Sequence, residues 1–315
     1  MPREHRDFST DSGLVLLAAI WGVNFSVLKV VLEELDPLAL NALRFPLACL
    51  ALALIVRANP GGLLPEREDL PRILLLGMLG NVAYQLCFII GIDWTQAGNA
   101  SLLLSTTPVW TVVLSAMAGH ERPNRWVTVG VLATLAGMTL VVLGRGEEIS
   151  LGSETLRGDL LMVLSSMIWS AYTVVGRRPV GRYGALRVTA WTLWAGTPLL
   201  VILGLPALVS TDLSELSPGA WLGVMYAGFL AIGLAYVLWY RGVEKLGNSR
   251  TAVYSNLVPV AALFTAWLWL GETPTGLQLL GAAVILAGLT VARLGQSPLQ
   301  SPGPSSPGGP GTEPK

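Results

Sequence analysis

Charge is scarce along this chain. Asp, Glu, Lys and Arg make up 13% of 315 residues, about half the share of an ordinary soluble domain. A surface facing water on every side cannot be built from so few. The twenty basic residues are balanced by twenty acidic ones, so charge balance implies no nucleic acid or other acidic partner. Cysteine is nearly absent: Cys49 and Cys87 both sit inside apolar runs, which excludes a disulfide framework and fits small hydrophobes in packed helices. The two histidines, His5 and His120, are terminal or in a connector, and no metal-binding spacing exists. There is no His-Glu-x-x-His, no Gly-x-Ser-x-Gly and no Gly-rich phosphate loop. The longest connectors, about fifteen residues, leave no room for a nucleotide-hydrolysing domain. No cofactor is expected. No Asp or Glu lies deep in an apolar run, Asp93 and Asp159 being near run ends. A titratable relay or a carboxylate waiting for a cation is therefore not indicated.

What is present is hydrophobicity in long blocks. Residues of apolar type form 52% of the chain, and they fall in runs of about 18–22, long enough to cross a hydrocarbon layer about 30 Å thick as helices. A helix satisfies its own backbone there, where water is absent. The runs predict ten spans at 13–32, 38–56, 71–92, 97–118, 126–144, 158–177, 186–208, 219–240, 250–270 and 276–293. The first run extends about twenty residues without a small-x-small cleavage site, so it reads as a span and not as a signal peptide. Beyond Gly295 the chain turns Pro/Gly/Ser-rich and cannot bury a core.

The basic residues alternate in side. Arg3 and Arg6 precede the first span; every second connector then holds Arg57, Arg67 and Arg72, Arg122 and Arg125, Arg177, Arg178, Arg182 and Arg187, Arg241, Lys245 and Arg250, with Arg293 and Lys315 last. The opposite connectors hold only Arg145 and Arg157. Excess Lys and Arg marks the cytoplasmic face, so both termini are expected there.

The two halves echo each other. A shift of 151 pairs Gly77 with Gly228, Gly91 with Gly242, Asp93 with Glu244, Pro108 with Pro259, Glu121 with Glu272, Pro123 with Pro274 and Gly137 with Gly288. Ile20-Trp21 matches Ile168-Trp169 at a shift of 148. Five spans per copy is an odd number, so the second copy would insert upside down. The expected fold is an all-α integral membrane protein of ten transmembrane helices in two inverted five-helix repeats. Its parts are a cytoplasmic N-terminus (1–12), a first repeat (13–144), an outer connector (145–157), a second repeat (158–293) and a cytoplasmic tail (294–315). Inverted repeats commonly place a small-molecule site near the bilayer midplane, where the copies meet.

Several segments resemble the ten-helix exporters of the drug/metabolite transporter superfamily, EamA-type. They are Ala19-Ile20-Trp21-Gly22-Val23-Asn24-Phe25, Ala42-Leu43-Arg44-Phe45, Thr95-Gln96-Ala97-Gly98-Asn99-Ala100-Ser101, Thr107-Pro108-Val109 and Leu270-Gly271-Glu272. Gly119-His120-Glu121 departs from the family's Leu-Gly-Glu. The resemblance spans about residues 13–293 and implies export, or facilitated passage, of small metabolites such as amino acids across the bacterial inner membrane.

Polar and aromatic side chains within spans are the candidates for a binding site. Trp21, Asn24 and Phe25 share a helical face. Asn81, Tyr84, Gln85 and Phe88 repeat that spacing, Ser101 and Ser105 follow, and the second half offers Trp169, Tyr172, Tyr236, Ser255 and Asn256. Two readings stand: a cavity with aromatic walls and a few amides and hydroxyls, suited to a zwitterionic or amphipathic metabolite, or hydrogen-bonded contact between helices. Pro108 and Pro259 are expected to kink their spans at matched depth. Lys29 and Arg44 either reach the outer interface or the nearby acids Glu33, Glu34 and Asp36, or attract a substrate carboxylate. Gly130, Ala133, Gly137, Ala283 and Ala287 permit close helix contact, within the chain or in a homodimer. The rival classes are a membrane-embedded enzyme and a non-transporting scaffold.

Overall fold

The computed structural model describes residues 8–58, 64–117, 124–144, 153–246, 254–255 and 257–294. Expectations concerning residues 1–7, Glu121, Asn256, the connector through residue 152 and the tail beyond 294 lie outside the described residues. All regular structure among the described residues is helical. The chain runs through α1 (Phe8–Leu32), α2 (Pro37–Ala58) and α3 (Leu70–Gly77). A π-helical stretch, Met78–Ala83, leads into α4 (Tyr84–Trp94), and α5 (Ala97–Leu104), α6 (Thr107–Met117) and α7 (Arg125–Leu143) follow. The second half comprises α8 (Glu154–Tyr183), α9 (Ala185–Ser210) and α10 (Pro218–Met225). A second π stretch, Tyr226–Leu234, then leads to α11 (Ala235–Leu246), α12 (Leu257–Leu270) and α13 (Gly276–Leu294). Among the described residues seven continuous helices are long and apolar enough to cross a membrane, two of them running through the π stretches; α12 and the apolar part of α13 are shorter.

The α5–α6 break shows why a polar run can sit inside an apolar one. Pro108 has no N–H to give to the preceding turn. Three consecutive hydroxyls cover the carbonyls at the interruption: Ser105 donates to Leu102 O at 2.7 Å, Thr106 to Leu103 O at 2.6 Å and Thr107 to Leu104 O at 2.7 Å. In the second half Pro259 falls in the first turn of α12, where a missing N–H leaves no bond unmade. Both matched prolines thus follow an interruption instead of bending an unbroken rod.

Helices pair across the halves. α2 lies along α9, α7 along α13, α1 along α12 and α4 along α8; α1 also meets α10 and α11, and α8 meets α5 and α6. One buried cluster, including Leu28, Phe88, Ile89, Met162, Val224 and Ala262, is shared by both halves. α7 and α13 approach closely. A Cβ added to Gly137 would lie 2.8 Å from Gly281 O, and one added to Gly281 would lie 2.8 Å from Gly137 O. Gly288 meets Gly130 O in the same way. The small residues of α7 and α13 therefore meet within the chain. On α13 the contact face is Gly281, Ile285 and Gly288, while Ala283 and Ala287, the positions the sequence suggested, face outward.

Contacts between connectors obey one rule. Glu34 accepts from Ser217 N at 2.8 Å, joining the α1–α2 and α9–α10 connectors. Thr275 Oγ1 donates to Gly144 O at 2.6 Å, joining the far ends of α7 and α12. Arg182 bridges Glu66 at 2.6 Å and Asp69 at 2.8 Å, joining the end of α8 to the start of α3. Tyr254 donates to Asp11 at 2.7 Å. Each bond links connectors that the basic-residue pattern assigns to the same side.

Replacing Gly281 with Val is expected to destabilise the protein by about 1–3 kcal/mol through overpacking against α7. Ala283→Val on the outer face should leave stability unchanged. Melting temperatures of the two variants in detergent check this.

Candidate functional site

π-Helical turns widen a helix by one residue and often mark working sites. The first one carries Gly80 and Asn81. Gly80 leaves a gap that Tyr172 of α8 fills: a Cβ there would fall 2.8 Å from Tyr172 Cγ and Cε2. The Tyr172 hydroxyl shares a hydrogen bond with Thr192 Oγ1 of α9 at 3.1 Å. Trp169, one turn back, lies 5.2 Å from the Tyr172 ring and 4.9 Å from Tyr84. Tyr84 stacks on Phe88 at 5.7 Å, and Phe88 meets Phe25 edge-on at 6.0 Å. The result is a continuous aromatic seam crossing from α8 through α4 to α1, with rings in mutual contact.

Beside the seam stands Arg44 of α2, only 2% exposed. Its Nε donates to Asn41 Oδ1 at 3.0 Å and its Nη2 to Gln85 Oε1 at 3.0 Å. The guanidinium carbon sits 5.5 Å from the Phe45 centroid and 5.9 Å from that of Phe88, within cation–π range. Asn41 is fully buried, and its Nδ2 has no hydrogen-bond partner. Arg44 thus neither reaches the outer interface nor bonds to Glu33, Glu34 or Asp36. α2 enters with Pro37 and keeps Arg44 on the face turned towards the seam, so the side chain is enclosed before it can extend to a helix end. Lys29, by contrast, donates to the backbone O of Asp93 at 2.8 Å, at the connector end of α4.

The remaining sequence candidates divide by position. Trp21 Nε1 donates to Ala231 O of the second π stretch at 2.9 Å, and its ring meets Tyr236 at 6.5 Å and Trp239 at 5.8 Å. Asn24 is buried with Oδ1 unbonded. Asn81 is buried against α9, its Cβ 2.8 Å from the position of a Cβ on Gly196. Ser101 and Ser105 donate to carbonyls of their own helix, Gly98 O and Leu102 O, each at 2.7 Å. Ser255 lies at the turn before α12, its carbonyl accepting from Val258 N at 3.2 Å. The structure therefore gathers Tyr84, Gln85, Trp169 and Tyr172 into one locus with Arg44. It places Trp21 and Tyr236 together alongside, and the three serines elsewhere.

A second polar cluster closes the other end of α5. Glu272 accepts from Ala97 N at 2.9 Å and Gly98 N at 3.0 Å, capping a helix whose first N–H groups have no partner of their own. Gln278 donates to Asn99 Oδ1 at 2.9 Å. Gly98, Asn99, Glu272 and Gln278 line a hollow of about 10 Å³, room for about one water. Thr95 bonds to the buried carboxylate of Asp159 nearby. The sequence analysis did not single out Asn41, although it shares a helical face with Arg44 and Phe45 at i, i+3 and i+4; that spacing was the signal available.

Gly80→Ala is expected to destabilise by about 1–3 kcal/mol because the methyl displaces the Tyr172 ring. In a Tyr172→Ala background the same change should lose about 1 kcal/mol of that effect, as read from a double-mutant cycle of melting temperatures.

Comparison with known proteins bears on what such a site serves. The model of the EamA-like transporter family matches residues 9–143 and again 156–294. The uncharacterized transporter YdfC of Bacillus subtilis is 31% identical over 275 residues, 87% of each chain. A protein of Streptantibioticus cattleyicolor named as a probable terminal-alkyne amino-acid exporter is 30% identical, covering 88% of this chain and 90% of its own. One of Salmonella typhimurium named as a probable amino-acid metabolite efflux pump is also 30% identical, covering 88% and 92%. A solved crystal structure at 21% identity shares the fold, with a TM-score of 0.65 over 90% of this chain and 97% of its own. The chain belongs to the EamA-like transporter family and is a transporter, not an enzyme.

Proposed function

We propose that the protein is a secondary carrier for small amphipathic metabolites, amino acids foremost, working by alternating access in the bacterial inner membrane. In this reading ten helical segments form two inverted five-helix repeats with both termini in the cytoplasm. The observation that carries it is the aromatic and amide locus drawn from both halves: Tyr84 and Gln85 from one, Trp169 and Tyr172 from the other. An aromatic wall with a few fixed polar groups suits a ligand with one apolar and one polar end.

The helix pairing supports the inverted repeat. Exchanging the halves turns α1 into α8, α2 into α9, α4 into α11, α5–α6 into α12 and α7 into α13. The contacts α1 with α12 and α8 with α5–α6 then interchange, as do α4 with α8 and α11 with α1, while α2–α9 and α7–α13 map onto themselves. Two π stretches at matched places and two successive matches to one family model agree with the same symmetry. The names of the relatives support the amino-acid class. The seam, closed by ring contacts, would be the layer that parts when the two bundles rock.

Purified protein in proteoliposomes without ion gradients should show saturable counterflow of a labelled amino acid. Trp169→Ala should reduce it about tenfold, while Trp267→Ala, on the outer surface, should not. Absence of saturable exchange across an amino-acid panel would overturn the substrate class. For orientation, single cysteines at Glu33 and Glu215 should react with an impermeant reagent from outside, and those at Glu68 and Arg178 should be protected; the reverse pattern would overturn the topology.

A further inference from the structure

The polar groups around Arg44 do not balance. A guanidinium carries five N–H donors and one positive charge. Here two donors are used, on the amide oxygens of Asn41 and Gln85. No carboxylate bonds to Arg44 among the described residues. The groups facing the guanidinium are neutral: two amides, the rings of Phe45 and Phe88, and the nearby phenols of Tyr84 and Tyr236. Asn41 adds a second deficit of the same sign. Its oxygen is committed to Arg44, so its amide N–H group, fully buried and unbonded, is one more donor without an acceptor.

A site rich in donors and short of acceptors, holding an unneutralised cation inside a membrane protein, has a missing partner of definite chemistry. Water or a neutral carbonyl could satisfy a donor but would leave the charge. A carboxylate answers both, because its two oxygens match the guanidinium fork and retain lone pairs for a neighbouring amide. The seam Phe88–Tyr84–Trp169 begins at the same place and offers an apolar surface to whatever the carboxylate carries.

We propose that Arg44, with Asn41 beside it, is the receptor for a carboxylate on the transported molecule, which makes a free carboxylate the obligatory feature of the substrate. The inference rests on the carrier reading above and narrows it: amines, amides and esters of the same shape are not substrates. It also sets the mode of transport. The empty carrier holds an unpaired buried cation, so reorientation is easier loaded than empty, and exchange outruns net flux.

The test is ligand-induced thermal stabilisation of the full chain in detergent, with L-phenylalanine, L-leucine and 3-phenylpropanoate set against L-phenylalaninamide and phenethylamine. The carboxylates should raise the melting temperature of the wild type, with the amide and the amine requiring about tenfold or more higher concentration for the same shift. Arg44→Gln should abolish the difference, and Arg44→Lys should keep its sign at reduced size. Equal stabilisation by acid and amide, stabilisation by none of the carboxylates, or an undiminished preference in folded Arg44→Gln would each overturn the proposal. Should Arg44→Gln fail to fold, the wild-type ligand series still decides. Counterflow is scored separately: carboxylate binding without exchange would sink the carrier reading and leave this site standing, whereas exchange that ignores the carboxylate would do the opposite.

Discussion

Inside a hydrocarbon layer nothing but the protein can satisfy a polar group, and the rest of this structure follows from how that demand is met. Unbroken helices meet it automatically. Where the helix must stop, at Ser105–Thr106, three successive hydroxyls turn back onto the stranded carbonyls. Where α5 starts, a carboxylate from Glu272, distant in sequence, accepts from its first free N–H groups. Glu272 and the hydroxyl run therefore do the work that water does at the ends of helices in soluble proteins.

The same demand explains how the two halves are held. Lipid supplies little drive for one apolar helix to prefer another over its surroundings, so association relies on close backbone approach and on hydrogen bonds between helices. Gly137 against Gly281, and Gly288 against Gly130, bring α7 and α13 to a separation no side chain would allow. Trp21 and Tyr226 exchange indole and phenol hydrogen bonds with backbone carbonyls across α1 and the second π stretch. Between these contacts runs the seam of rings, held by ring contacts rather than by close backbone approach.

At Arg44 and its neighbour Asn41 the demand is met only in part. The amide partners of Arg44 take up two donors and none of the charge. A structural arginine would gain from a carboxylate partner, and acids stand close by in sequence at Glu33, Glu34 and Asp36. Glu34 instead caps Ser217 at the connector. Asp36 likewise accepts from the backbone N–H groups of Leu38 and Ala39.

The sequence by itself determined the class and much of the layout. Long apolar runs specify helices because only backbone closed on itself is tolerable without water, and the matched positions of Pro108 with Pro259 and Gly137 with Gly288 reported a repeat. Tyr84, Gln85, Trp169 and Tyr172 were legible as candidates because aromatic and amide groups within apolar runs are conspicuous. Tertiary structure alone decided which of them meet. Helical spacing places Ser101 and Ser105 on candidate faces, but a hydroxyl can satisfy itself on its own helix, and there it does. The outward placement of Ala283 and Ala287 depended on the rotation of α13 against α7, which local pattern does not encode. The environment of Arg44 was the least legible: a long cationic side chain can reach an interface or stay enclosed, and only the helices packed around it determine which.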